Sequence, residues 1–102
     1  MRSHPSELQM PPTVQGDKNA HELVRAWVAH GGLHCSINAL AWPDDHSSIG
    51  WGILLSDICR HVADALNKER GVGKDSVIQQ IRTVFNDELD SPTAEPKGDF
   101  VR

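Results

Sequence analysis

The sequence predicts an α+β domain: an antiparallel β-hairpin packed on two α-helices, in the order strand, strand, helix, helix, and completed by dimerisation. Three observations predict it. Residues 24–39 alternate apolar and polar side chains about a diglycine. Residues 47–90 carry two apolar stripes at helical spacing, parted at Gly71. The two ends are polar, bear all but one of the prolines and show neither period. A chain of 102 residues has room for one small domain. The expected division is a flexible N-terminal arm over 1–19, a single α+β domain over 20–90 and a flexible C-terminal tail over 91–102.

The hairpin follows from strand parity. With Gly31-Gly32 as a two-residue turn, His30 faces Leu33, Val28 faces Cys35, Ala26 faces Ile37 and Val24 faces Ala39. One face is then apolar except at the turn. The other sets Leu23, Arg25, Trp27 and Ala29 opposite Leu40, Asn38, Ser36 and His34. A helix over 20–30 competes, because Ala20, Leu23, Val24, Trp27 and Val28 also fit a helical stripe, with Glu22 as capping partner of Asn19 and Gly31 as the stop. The matching of two faces across two strands favours the hairpin, since a helix gives no reason for it.

The first helix is expected to start at Ser47 or Ser48 and to run an inner face through Trp51, Leu54, Leu55, Ile58, Cys59, Val62 and Leu66. Gly71, just after Lys68 and Arg70, reads as its C-terminal cap. The second opens at Ser76 with Gln79 three places on, and presents Val77, Ile78, Ile81, Val84, Phe85 and Leu89. Its end is unusual: Asp87, Glu88 and Asp90 sit where negative charge opposes the helix dipole, a few tenths of a kcal/mol of penalty for a solvated terminus.

Composition narrows the function. Residues 20–90 hold six Lys plus Arg against ten Asp plus Glu, so the whole net charge of −4 falls on the folded part. Without a basic stripe to release counterions, nucleic acid and anionic lipid are not expected partners. No apolar run approaches the roughly 20 residues that span a bilayer, and residues 1–16 lack the apolar block of a signal peptide, so no membrane association and a cytoplasmic location are expected. Cys35 and Cys59 form no Cys-x-x-Cys pair and read as small apolar residues.

No chemical motif stands out. The Gly-x-Ser-x-Gly elbow, the Walker loop, the dinucleotide fingerprint and His-Glu-x-x-His are all missing from the sequence, and no catalytic residue, metal or cofactor is assigned. His30 and His34 have chelate spacing on a helix but fall on opposite faces of the hairpin. Gly50-Trp51-Gly52 is too short to cradle phosphate; its glycines let the first helical turn come close to the hairpin, with Trp51 as anchor.

Two functional readings remain. One is a homodimeric protein-interaction or accessory module, since a lone hairpin has two unpaired edges and a second copy can supply partners. Its interaction residues are Arg25, Trp27, His34, Ser36 and Asn38 on the outer hairpin face, where tryptophan and arginine are the types that dominate interface hot spots. The plainer role for Trp27 is packing under the N-terminal arm or a helix of the same chain. The other reading is a small enzyme or ligand-binding protein with a pocket between hairpin and first helix, using His34, Ser36, Asp57 and His61, the last two one helical turn apart as an oriented acid/base pair.

The stretches Leu23 to Val28, Gly32-Leu33-His34, Trp42, Trp51-Gly52-Ile53-Leu54-Leu55, Asp57, Arg60-His61-Val62-Ala63 and Ser91-Pro92-Thr93 together resemble a family of short bacterial proteins known only as a domain of unknown function. The resemblance covers about residues 22–93. It implies a compact bacterial cytoplasmic domain with His34 and His61 inside the pattern, and it brings no activity, cofactor or catalytic residue.

Overall fold

Strand β1 (Val24–Ala29) turns back into β2 (Gly32–Asn38), and the pair is antiparallel, in a computed structural model that describes residues 4–93 and 97–101. The α+β class and the order strand, strand, helix, helix stand as the sequence predicts. The register differs. Val24 pairs with Ile37, Ala26 with Cys35 and Val28 with Leu33, while Arg25 pairs with Ser36, Trp27 with His34 and Ala29 with Gly32. The turn is therefore His30-Gly31, not Gly31-Gly32. Both have positive φ, 50° and 74°, as a type I′ turn requires, and histidine is among the few non-glycine types that enter this region readily. A slip of two residues preserves parity, so both faces keep their expected members.

Helix α2 (Ser47–Arg70) follows a single 3₁₀ turn at Asp44–His46, and α3 (Lys74–Asp90) follows α2 after three residues. Neither start uses the expected serine cap: the N-cap residues are His46 and Gly73, without a side-chain bond. The 3₁₀ turn feeds straight into α2, and α3 begins two residues before Ser76. The stop of α2 is as expected. Gly71 takes the left-handed conformation at φ 68° and its N–H donates to the Asn67 carbonyl. Asn67 Nδ2 donates to the Val72 carbonyl at 2.9 Å, and Lys74 pairs with Asp64 at 3.3 Å, closing the corner between the helices. At the acidic end of α3, Glu88 Oε1 accepts the Thr93 hydroxyl at 2.7 Å.

Two segments expected to be flexible carry structure. The arm holds a one-turn helix, α1 (Pro12–Gln15), and His4 and Glu7 contact the hairpin. In the tail, strand β3 (Lys97–Val101) pairs in parallel with β2, His34 beside Lys97 through Asn38 beside Val101. The sheet order is thus β1-β2-β3. The remaining parts of those expectations, residues 1–3, 94–96 and 102, lie outside the described residues.

The sheet and the helix pair make no close backbone approach. Among the described residues, no Cα of a strand lies within 8 Å of a Cα of either helix; the strands contact each other, and α2 contacts α3. Of the 25 large apolar residues between positions 20 and 90, only Val77 is buried, together with the small Ala63. The expected inner face of α2 is therefore only partly covered. Ala63 is buried toward α3, Trp51, Leu54, Cys59 and Leu66 are half-buried, and Leu55, Ile58 and Val62 are exposed. The radius of gyration is 15.4 Å, against about 13 Å for a compact chain of this length.

Candidate functional site

The outer hairpin face gathers the residues singled out from sequence, because odd positions of β1 and even positions of β2 share one side of the sheet. Arg25 is the best-held of them. Its guanidinium donates to both carboxylate oxygens of Glu22, at 3.0 and 3.2 Å, and to Glu7 from the arm. These bonds, with Glu22 foremost, raise the guanidinium above its ordinary pKa despite some desolvation.

Trp27 is half-buried, and His4 meets its ring edge-on at 5.0 Å between centroids. The arm therefore lies on this face, tethered at His4–Trp27 and Glu7–Arg25. His34 is half-buried beside Trp27, and its Nε2 hydrogen-bonds to the Ala29 carbonyl at 3.1 Å. Ser36 is exposed and Asn38 half-buried. Arg25, Ser36 and Asn38 help wall an open hollow of about 330 Å³ at the base of the hairpin, with Glu22, Leu23 and Ile37.

The opposite, apolar face of the hairpin is open toward its turn, while Val24, Cys35 and Ile37 at the other end are half-buried. Val28 is 78% exposed and its cross-strand partner Leu33 68%. Sequence reasoning passed over this face as core. Its alternation was visible; that the helices of the same chain do not cover it was not.

The residues of the alternative pocket do not come together within the chain. His34 and Ser36 lie on β2, while Asp57 and His61 are exposed on α2, and no strand Cα lies within 8 Å of a Cα of that helix among the described residues. No hydrogen bond joins Asp57 to His61 among the described residues. The rings of His30 and His34 stand edge-on, 6.5 Å apart. No group of three or more His, Cys, Asp or Glu side chains suited to a metal occurs among the described residues.

A different close contact was missed. Gly50 is buried under the ring of Trp42, which in turn meets Trp51 edge-on at 5.4 Å. A side-chain carbon on Gly50 would lie 2.6 Å from Trp42 Cε2 and 2.8 Å from Cε3. The close approach expected of this glycine is thus to the loop between sheet and helix, not to the hairpin. Gly52 faces open space.

No helix of the described residues is long and apolar enough to cross a membrane. No curated protein matches the sequence. A solved structure from the photosynthetic bacterium Rhodopseudomonas palustrus CGA009, described as that of "a putative pyruvate dehydrogenase", is similar at 34% identity. The match covers 92% of this chain and 93% of that one, with a TM-score of 0.68. Across residues 7–93 the sequence matches the family described as Domain of unknown function (DUF5076), from the arm that lies on the hairpin to the end of α3. The chain belongs to that family.

Proposed function

We propose that the protein is a cytoplasmic homodimeric interaction or accessory module, whose subunits associate through apolar surface that a single chain leaves open. The observation that carries this reading is the separation of sheet and helices. An α+β domain gains stability when the apolar face of its sheet covers the apolar stripe of its helices. Here, among the described residues, no strand Cα comes within 8 Å of a Cα of either helix, and Val28, Leu33, Leu55, Ile58 and Val62 stay exposed. The accessible surface is 9077 Å². A folded monomer of this mass exposes about 5,700 Å². The excess of about 3,400 Å² far exceeds the roughly 800 Å² that each partner buries in a standard interface.

Cys35 in β2 and Cys59 in α2 are both unbridged, which suits a reducing compartment. The outer hairpin face, with Arg25, Trp27, His34, Ser36 and Asn38, is the surface proposed for a protein partner, and the arm residues His4 and Glu7 occupy part of it. Sedimentation velocity at micromolar concentration tests the reading. A species of twice the 11.2 kDa chain mass is expected, and a single monomeric species overturns it.

A further inference from the structure

We propose that the two copies meet through helix α2, packed antiparallel so that Trp51 lies against the partner subunit's Val62 and Leu55 against the partner subunit's Ile58. This inference rests on the dimeric reading and names its surface. Trp51, Leu55, Ile58 and Val62 are spaced by four, three and four residues, which lines them along one side of a helix as in the seam of a left-handed helix pair. The stripe runs for about 16 Å at 1.5 Å per residue. Leu55, Ile58 and Val62 are 46%, 40% and 39% exposed, and Trp51 is half-buried.

Helix α3 does not cover this stripe. It packs on the side of α2 that buries Ala63, roughly a quarter-turn round the helix from Leu55, Ile58 and Val62. The sheet does not approach it either. The charged residues Asp57, Arg60 and Asp64 fall on the far side of the helix, so the stripe itself carries no charge that a partner would have to neutralise.

Self-complementarity points to a second copy as the occupant. When α2 is laid antiparallel on itself about a point between Ser56 and Asp57, the four residues pair among themselves with none left over. The largest, Trp51, meets the smallest, Val62, and Leu55 meets Ile58. A two-fold axis repeats each pair, which is the closed isologous contact of symmetric dimers.

The test uses the full chain with two single variants on α2, Leu55→Glu and Ile58→Lys, each at an exposed position, and Val28→Asp on the sheet. Helix content by circular dichroism is expected to stay near that of the native chain. Each variant alone is expected to dissociate with a dimer Kd raised on the order of tenfold or more, because a charge is buried without a partner. Mixed in equal amounts, they are expected to recover dimer. The carboxylate introduced in one chain would then face the ammonium introduced in the other, and the remaining Leu55 and Ile58 would still meet. Native-like dimerisation of both single variants overturns the α2 contact and leaves the dimeric reading intact, and so does dissociation without recovery on mixing. Loss of dimer in Val28→Asp alone, with the two α2 variants unaffected, overturns it in favour of the open sheet face. A native chain that is monomeric overturns the dimeric reading itself.

Discussion

Replacing Gly50 by alanine sets two effects of known size against each other. In an exposed helix interior, alanine is better than glycine by about 0.8–1.0 kcal/mol. At Gly50 the added carbon would lie 2.6 and 2.8 Å from two ring atoms of Trp42, and closer still to Cδ2. Such separations are well inside van der Waals contact. The ring cannot simply swing aside, because it is half-buried and stands edge-on to Trp51. Overpacking of this kind costs about 1–3 kcal/mol, so the propensity gain is cancelled or outweighed, giving a net loss of up to about 2 kcal/mol. Gly52, two residues on in the same helix, is the internal control. It faces open space, and Gly52→Ala should stabilise by about 0.5–1 kcal/mol. Urea unfolding followed by far-UV circular dichroism, at one fixed protein concentration, measures both. Gly50→Ala is expected to unfold at lower urea than Gly52→Ala, by about 1–3 kcal/mol at equal slope. A Gly50→Ala protein as stable as its Gly52→Ala counterpart would refute the reasoning.

Two further outcomes follow from conformation and cover. Gly71→Ala places a side chain at φ 68° and is expected to lower stability by about 1–2 kcal/mol, with Gly71→Asn losing less, as read from the same urea curves. Equal losses for alanine and asparagine would argue against the left-handed cap. Trp27→Ala removes the ring that His4 rests on, so limited proteolysis should cut within residues 4–10 about fivefold faster while helix content is unchanged. An unaltered cleavage rate would mean that the Glu7–Arg25 tether alone holds the arm.

Much of the hairpin could be read from parity and little of its register. Val24, Ala26 and Val28 had to share a side with Leu33, Cys35 and Ile37 in either register, since both differ by two residues. Choosing between them depended on which residues accept positive φ, and His30 takes a turn position that sequence alone assigns to the diglycine. The helices were legible from their stripes and from Gly71. Their starts were not, because His46 and Gly73 offer no capping side chain. Strand β3 was illegible for a different reason. Lys97–Val101 has no strand pattern of its own, and its conformation comes from pairing with β2, some sixty residues earlier. The candidate outer face was legible as a set of neighbours across two strands, since Arg25 opposite Ser36 and Trp27 opposite His34 need only the hairpin. Its cover was not, because His4 and Glu7 reach it over a span of about twenty residues with no periodicity to announce the contact. Nor could Gly50 be told from Gly52, as only the position of Trp42 distinguishes them.

The gap between sheet and helix pair also orders events in time. Each half has a local nucleus, β1 on β2 across two residues and α2 on α3 across three, that can form on the microsecond scale, while β3 joins β2 only from some sixty residues further along. Neither is then finished. With subunit contact as the last step, native structure would be completed by collision, and its rate would climb with protein concentration. In dilute solution the slow part of refolding would be the search of one chain for another.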